Sequence, residues 1–475
     1  MLKQRITAKA WGLAPTALVM LTLLSDGHYA QGQEPVAEPL PTLILFIGDG
    51  LDDQHVTMGR NYLAGQQGTL VMDTLPIRSA VQVETVSSDG MPVYVADSAN
   101  TATSLAAGII TSIGRVGTDP RNKPVPSLLE SAAHAGLRTG IISSASVTDA
   151  TPAAFLAHVA KRGCENPAII LGGRRYGQMF EGCPTDARGN GGQGSVAEQI
   201  AASAADLVLG GGLEHFVIPD ADTGRSALDE AKDNGFIITK NLTELREADT
   251  QQPVLGLFAN SHLPVRMQGT DGRTAEAPEP SLLNALDWRL GSVTQPPAMD
   301  CELNPRFAGT PDLATLTSIA LDRLSIDNTQ GLFLMVESAS IDKESHDRNP
   351  CGSIGEIEQL EEAIAVALAY ADEHPNTLIL VTADHAQAAQ IVPEPSLFAS
   401  IPVPIYSPGK VARVRTPEGG IMRINYATNL FESEEHTGAN VPLFALAPHG
   451  TVIPGFLRQR DVYALMMDYL GLDQP

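Results

Sequence analysis

The segment TLILFIGDG, residues 42–50, decides the fold. Its first six residues are apolar or β-branched on both faces of an extended chain, which is typical of a strand buried on both sides in a parallel sheet. Similar runs recur at Thr139–Ser143, Leu207–Leu209, Leu332–Val336 and Thr377–Val381. Five such runs predict at least five buried strands in one sheet.

Helical patterns lie between these runs, at Ser127–Ala135, Leu313–Leu324 and Glu356–His374. Strands that alternate with helices over this length predict an α/β fold, in which helices flank a large, mostly parallel central sheet. Two stretches rich in Gly, Pro or polar residues, Gln251–Asp300 and Pro393–Gly420, are predicted to be loop insertions.

The N-terminus has the pattern of an export signal. Three basic residues and no acid stand among the first ten, and the largely apolar run Trp11–Leu24 follows. The pattern predicts a signal peptide over residues 1–30, cleaved near Ala30, and hence a periplasmic or secreted protein. A retained membrane anchor is the alternative, although the run is short for a membrane span. Residues 31–40 are predicted to be a flexible leader, and residues 41–475 a single domain.

The composition excludes one class of function. The 475-residue chain has 55 acidic and 31 basic residues, which gives a net charge of -24. A chain this acidic lacks the positive surface that binds nucleic acid. An anionic substrate would need locally concentrated positive charge, for which metal ions and the 11 histidines are the natural candidates.

The four cysteines form an even set in a chain predicted to be exported, so we expect disulfides. Four cysteines allow three pairings. The most local of these joins Cys164 to Cys183 and Cys301 to Cys351.

Unusual polar residues follow the predicted strands, at the edge of an α/β sheet where ligands usually bind. They are Asp49, Glu337, Asp342, His346, Asp384, His385 and, before a further apolar run, His436. Taken singly, each has a plain alternative, such as a turn, a surface pair on a helix or a helix cap. Their shared position at strand ends favours a site.

These residue types indicate more than one metal ion. Imidazole and carboxylate together suit zinc, whereas carboxylate and hydroxyl oxygens suit magnesium. Three histidines and at least four acids exceed what a single four-coordinate zinc needs. Two ions about 3.5–4 Å apart can clamp the attacking and leaving oxygens of a phosphoryl transfer.

Ser98 is the candidate nucleophile. The small residues after it predict a helix that runs to Gly108, which would place Ser98 at a helix N-terminus, where free N–H groups favour an anion. Local sequence alone favours the simpler interpretation, that Ser98 or Asp97 is an N-cap. No Gly-x-Ser-x-Gly motif is present, so the sequence gives little support to an esterase.

Together the motifs resemble the bacterial alkaline phosphatase family in its enterobacterial form. They occur in family order and extend over nearly all of the chain after the signal. The matching strings are FIGDG (46–50), DSA (97–99), TDATPAA (148–154), VESASIDK (336–343), NPCG (349–352), TADH (382–385) and EHTG (435–438).

The resemblance implies two Zn²⁺ and one Mg²⁺ per subunit. The implied ligands are Asp342, His346 and His436 for the first zinc, Asp49, Asp384 and His385 for the second, and Asp49, Thr151 and Glu337 for magnesium. It also implies that Arg162 binds phosphate, and that Asp149 and Lys343 orient the waters on magnesium and steady the phosphate. The roles of Thr151 and Arg162 rest on the resemblance alone.

The same resemblance implies the disulfides Cys164–Cys183 and Cys301–Cys351, a homodimer, and residues 41–475 as one catalytic domain. The implied reaction is the hydrolysis of phosphate monoesters through a phosphoserine at Ser98, with release of an alcohol and inorganic phosphate.

Two alternatives stay open beside this reaction. One is a related hydrolase of phosphodiesters or sulfate esters, against which stand the presence of Arg162 and Glu337 and the absence of a sulfatase motif around Ser98. The other is an exported protein that binds phosphate or metal without turnover. Such a protein would have no need of Ser98 beside the metals.

Overall fold

The fold is described from a computed structural model of the chain. The described residues are 40–473 except 176, 222, 395–403 and 405. The predicted signal peptide and nearly all of the predicted leader therefore lie outside the described residues. The described residues form one compact unit. None of its described helices has both the length and the apolar character that crossing a bilayer requires.

A ten-stranded sheet runs through this unit. Its strands are β1 (Thr42–Gly48), β2 (Ile77–Gln82), β3 (Arg138–Ser146), β4 (Leu207–Gly211), β5 (Ile237–Thr239), β6 (Val254–Leu257), β7 (Leu332–Ser338), β8 (Thr377–Thr382), β9 (Val441–Leu446) and β10 (Phe456–Arg458). Their order across the sheet is β10-β2-β9-β8-β1-β7-β3-β4-β6-β5. Only β9 runs antiparallel to its neighbours. The predicted α/β fold with a mostly parallel sheet is confirmed, and all five predicted strands are present.

Strand β1 lies at the centre and pairs in parallel with β7 on one side and β8 on the other. Every residue of these three strands is buried, as their apolar runs require. The register pairs Ile47 with Glu337 and with Thr382, so the carboxyl ends of the three strands lie side by side. The predicted strand-end residues are therefore neighbours in space.

Thirteen α-helices are formed by the described residues. They are α1 (Asp53–Leu63), α2 (Ser98–Ala107), α3 (Leu128–His134), α4 (Ala150–Leu156), α5 (Val196–Ala201), α6 (Leu213–Phe216), α7 (Ala227–Asp233), α8 (Leu242–Glu247), α9 (Leu282–Leu286), α10 (Leu313–Ser325), α11 (Ser340–His346), α12 (Pro350–Glu373) and α13 (Gln459–Tyr469). The three predicted helices correspond to α3, α10 and α12. The last begins earlier than predicted because Asn349 caps it and Pro350 fits its first turn.

The prediction that Gln251–Asp300 is a loop is wrong in part. It contains β6, whose four residues form a strand because they are buried between β4 and β5, and it contains the short helix α9. The described part of Pro393–Gly420 likewise contains a strand, Lys410–Arg415, which pairs with Ile421–Tyr426. Short strands of this kind take their stability from neighbours distant in sequence.

The remaining strands are short and lie outside the central sheet. They are Thr85–Val86, Pro92–Val93, Gly173–Arg175, Gln178–Phe180, Met267–Gly269, Glu279–Pro280, Val293–Thr294, Cys301–Leu303, Ala386–Gln387, Gln390–Val392 and His436–Thr437. Both disulfides, Cys164–Cys183 and Cys301–Cys351, are formed.

Candidate active site

Ser98 is the first residue of α2, and its neighbour Asp97 lines a cleft. Asp97 caps the helix by accepting a hydrogen bond from the backbone N–H of Asn100, and Gly108 ends it in a left-handed conformation, φ 68°. The Ser98 side chain is buried. Its Oγ lies 3.0 Å from His385 Nε2 and 3.5 Å from Asp49 Oδ1.

Asp49, Asp384 and His385, here called the inner cluster, surround that hydroxyl. Asp49 follows β1, and the other two follow the adjacent strand β8. His385 Nε2 lies 3.3 Å from Asp49 Oδ1 and 3.4 Å from Asp384 Oδ2. All three side chains are at most 2% exposed. The rigid centre of the sheet therefore holds this group of possible ligands.

The inner cluster has the electrostatics of a cation site. Burial, together with the nearby Asp384 and Asp342 carboxylates, raises the pKa of Asp49 well above its usual value. Asp384 Oδ1 accepts hydrogen bonds from two backbone N–H groups, whereas its buried Oδ2 has no hydrogen-bond partner among the described residues. Burial also lowers the pKa of His385, which favours the neutral imidazole that binds metals. A divalent ion would satisfy all three groups.

Asp342, His346 and His436, here called the outer cluster, form a second group of possible ligands. Helix α11 carries the first two one turn apart, and His436 comes from the chain before β9. Asp342 lies 3.3 Å from the Nε2 atom of each histidine, and the two Nε2 atoms lie 3.1 Å apart. Ligands of a tetrahedral zinc are about 3.3 Å apart, given zinc–nitrogen bonds of ~2.0–2.1 Å. The outer cluster fits that ion.

Backbone carbonyl groups fix the orientation of both outer histidines. His436 Nδ1–H donates to Ala96 O at 2.7 Å, and His346 Nδ1–H donates to Glu434 O. Each Nε2 atom is therefore directed at the cluster, where it can bind a metal ion once it is deprotonated. Burial opposes protonation of His436, but the Asp342 carboxylate outweighs it and raises the pKa of His436 to about 9.

The two clusters are adjacent. The His385 and His436 rings stack at 3.8 Å between centroids. Possible ligand atoms of Asp342, His385 and His436 lie within 4.8 Å of one another, as do those of the inner cluster.

Glu337 and Thr151 form an oxygen-rich site on the other side of Asp49. Glu337 lies at the end of β7, where burial raises its pKa to about 7. The Ser143 hydroxyl donates to it. Thr151 Oγ1, in α4, is buried without a well-formed hydrogen bond among the described residues, although it is close enough to Glu337 to lower that pKa. Carboxylate and hydroxyl oxygens suit magnesium.

The cleft above the clusters has a volume of about 1160 Å³, and its lining includes the cationic side chains of Arg162 and Lys343. Asp149 holds both of them, because its Oδ1 lies 2.9 Å from Arg162 Nη2 and its Oδ2 lies 2.6 Å from Lys343 Nζ. Burial raises the pKa of Asp149, but Lys343 and Arg162 outweigh it and hold that pKa well below its usual value. Arg162 also contacts Asp97, the residue before Ser98, at 3.5 Å, and both Arg162 and Asp97 line the cleft.

The structure thus brings together every site residue named from the sequence. The sequence reasoning missed others. Gln387 donates from Nε2 to Asp342 Oδ1 at 2.6 Å, and Asp97 holds Arg162 as well as capping α2. A buried ion pair between Arg348 and Glu434 was also missed. The position of Gln387, two residues after His385, was the one available signal.

Comparison with known proteins matches residues 41–408 to the alkaline phosphatase family. The chain is 37% identical to the alkaline phosphatase of Escherichia coli, over 92% of this chain and 87% of that protein. It is 38% identical to alkaline phosphatase H of Pseudomonas aeruginosa, over 90% and 85%. It is also 38% identical to the streptomycin-6-phosphate phosphatase of Streptomyces griseus, over 97% and 96%.

Solved structures give the same fold. The alkaline phosphatase from the Antarctic bacterium TAB5 superposes with a TM-score of 0.63 at 21% identity, covering 92% of this chain and 99% of that one. The alkaline phosphatase of Thermus thermophilus superposes with a TM-score of 0.62 at 19% identity, covering 95% and 96%.

Proposed function

This chain belongs to the alkaline phosphatase family and hydrolyses phosphate monoesters; from that premise we propose that the reaction passes through a covalent phosphoserine at Ser98. The observation that carries the proposal is the position of the Ser98 hydroxyl. It lies at the N-terminus of α2, within 3.5 Å of Asp49 and His385, and the residue before it, Asp97, contacts Arg162 in the lining of the cleft. A buried hydroxyl between candidate metal ligands and a phosphate-binding guanidinium is suited to nucleophilic attack on phosphorus.

The family depends on metal ions, and we propose two Zn²⁺ and one Mg²⁺ for this chain. The proposed ligands are the outer cluster for one zinc, the inner cluster for the other, and Asp49, Thr151 and Glu337 for magnesium. Two solved variants of the Antarctic enzyme have magnesium bound in the M3 site. Divalent ions in such sites lower the pKa of oxygen nucleophiles and neutralise charge on the phosphoryl group.

The protein's own side chains perform the remaining work. Arg162 donates two hydrogen bonds to non-bridging phosphate oxygens, in the orientation that Asp149 and Asp97 impose. Ser98 Oγ loses its proton to solvent as it forms a bond to phosphorus. The bond from phosphorus to the alcohol oxygen breaks, and that oxygen takes up a proton from solvent as the alcohol departs. Water then cleaves the bond between Ser98 Oγ and phosphorus and releases inorganic phosphate. Lys343, held by Asp149, adds positive charge beside the phosphate.

Trapping of labelled phosphate tests the nucleophile. The enzyme is incubated with labelled inorganic phosphate, denatured at low pH and assayed for covalent label. We expect label on the wild-type protein and none on Ser98→Ala. Ser104→Ala is the matched control, because Ser104 is a buried serine of the same helix whose hydroxyl donates only to Asn100 O. Label on folded Ser98→Ala would show that another residue is the nucleophile.

We also propose that residues 1–30 direct export to the periplasm or the medium, that cleavage occurs near Ala30, and that residues 41–475 act as one catalytic domain within a homodimer. The basic and apolar N-terminus supports the export proposal. N-terminal sequencing of the mature protein and its mass by light scattering test these points. An intact Met1 on the exported protein contradicts the cleavage.

A further inference from the structure

The outer cluster depends on a stretch of chain that is not part of the central sheet. Asp342 and His346 are fixed by α11, but His436 is fixed by the segment 428–436, here called the histidine loop. That segment also supplies Glu434 O, the acceptor that orients His346. If it moves, one ligand is displaced and a second loses its orientation.

The buried side chain of Arg348 anchors the histidine loop. Arg348 stands two residues after His346, and its side chain is 2% exposed. Its guanidinium donates to Glu434 Oε2 at 2.7 Å, and three further hydrogen bonds go to the same loop. Those acceptors are Glu432 O (2.8 Å), Asn429 Oδ1 (3.1 Å) and Phe431 O (2.9 Å). Four contacts from one buried side chain leave the loop little freedom.

Glu434 completes the link from the other side, since it stands two residues before His436. Its carboxylate is fully buried and accepts from Arg348 through Oε2 and from the Thr428 N–H, at 2.6 Å, through Oε1. Its backbone N–H donates to His346 O at 2.9 Å, and its backbone carbonyl accepts from His346 Nδ1. Glu434 thus joins both ends of the loop to α11.

Two unfavourable features occur together at this anchor. Arg348 has φ 56°, in the left-handed region that is unfavourable for a residue other than glycine. The ion pair is buried, where desolvation offsets most of its attraction and an apolar pair often stabilises the fold as well. Features that do not favour stability point to a positional role.

We propose that the buried Arg348–Glu434 ion pair is the positioning device of the outer cluster, holding His346 and His436 at ligand distance from Asp342. This inference rests on the proposed metal function. It assigns both residues an indirect role, since the ion pair acts through the two histidines. Loss of the ion pair should weaken zinc binding in the outer cluster and leave the inner cluster unchanged.

Zinc release tests the proposal without using activity. The purified enzyme is loaded with Zn²⁺ and mixed with an excess of a chromophoric chelator, and the release of each zinc is followed. Outer-sphere partners of metal ligands typically contribute about 10–100-fold in affinity. We therefore expect one zinc to leave Arg348→Met and Glu434→Gln about 10–100-fold faster than the wild type, and the other at the wild-type rate. Arg348→Lys should recover part of the loss.

Control variants distinguish displacement of the two histidines from a general loss of folding stability. Arg266→Met removes another arginine that is 11% exposed and paired with Glu358 and Glu362, so it should lower the melting temperature without changing release. Asp384→Asn should remove the zinc that the ion-pair variants retain. Glu434→Gln preserves side-chain shape and keeps the test available if Arg348→Met does not fold.

The outcomes are distinct. Wild-type release from folded Glu434→Gln, or equal acceleration of both zinc ions, overturns the positioning role. A wild-type protein that binds no Zn²⁺ overturns the proposed metal sites themselves.

Discussion

The inner and outer clusters use similar ligands but differ in what holds them. The inner cluster stands at the ends of two adjacent central strands, with side chains at most 2% exposed. The outer cluster stands on a helix and a loop, and His346 is 29% exposed. Rigidity at the inner cluster comes from sheet register, whereas rigidity at the outer cluster has to be supplied by single hydrogen bonds. The same chemistry is therefore preorganised by two different means.

This difference suits the two clusters to different tasks. The proposed nucleophile Ser98 contacts the inner cluster, where a displacement of its atoms would be most damaging to in-line attack. The outer cluster borders the open cleft, through which the alcohol product must leave. Precise placement and open access are thus assigned to separate parts of one site.

The largest effect is expected from breaking the inner cluster. Asp384→Asn removes the charge from an oxygen that has no other partner in the described structure. We expect activity towards p-nitrophenyl phosphate to fall by more than about 100-fold, the upper end of the cost of losing an outer-sphere partner, with loss of one metal ion by elemental analysis. Asp206→Asn, an acid before β4 that pairs with Arg138, is the control. Full activity of Asp384→Asn contradicts the inner cluster as a metal site.

A smaller effect is expected from the cleft wall, which should act independently of both clusters. Arg162→Ala removes charged hydrogen bonds to phosphate. A net loss equal to one such bond, about 1.5–3 kcal/mol, should weaken inhibition by inorganic phosphate by about 10–100-fold. The metal content should not change. Arg174→Ala, another arginine of the cleft, is the control. Loss of metal from Arg162→Ala would show that cleft and clusters are not separable.

Chelation of the wild-type enzyme compares the clusters directly. Because the outer cluster is more exposed and depends on a loop, its metal should leave first. A difference in local opening of about 1.4 kcal/mol corresponds to about tenfold in rate. Release followed at constant pH should therefore show two phases, and His346→Asn should abolish the faster one. A single phase for both ions would show that the two clusters do not differ in how readily they release metal.

The smallest effect concerns a histidine outside both clusters. Burial opposes protonation of His158, but Glu130 outweighs it and raises the His158 pKa, while the pKa of Glu130 is lowered. Stability from the raised group is present below the ordinary histidine pKa and fades as pH rises. Stability from the lowered group fades as pH falls below the ordinary Glu pKa.

His158→Gln should therefore reduce the free energy of unfolding most between pH 4.5 and 6.5, by less than about 1 kcal/mol because Glu130 is partly exposed. Melting curves of the variant and the wild type across this pH range measure the difference in stability. The rate of zinc release is the control, because at each pH it should be the same in both proteins. An effect that grows above pH 7 contradicts the assignment.

The inner part of the fold could be predicted because its signals are local. The runs that form β1, β7 and β8 are apolar throughout, and polar residues follow each of them. Strands β5 and β10 have three residues each at the sheet edges, and β6 has four, so no periodicity identifies them. Their conformation is set by neighbours that the linear sequence does not reveal.

The site residues likewise divide into those that could be predicted from local sequence and those that could not. Asp49, Asp384 and His385 could be chosen from their position after strands, whereas Thr151 and Arg162 were reached only through the family resemblance. Arg348 and Glu434 lie 86 positions apart, and neither stands in a motif. A contact of that kind becomes visible only when the chain is folded.

The central strands that carry these ligands have a consequence for the protein's biogenesis. Strand β1 lies between β7 and β8, although almost three hundred residues separate it from β7 along the chain. An extended or half-synthesised chain therefore has no binding site for an ion, and metallation must follow closure of the sheet. Any route that moves the chain in extended form delivers it without its ions, so the metal supply of its destination determines which ions it acquires.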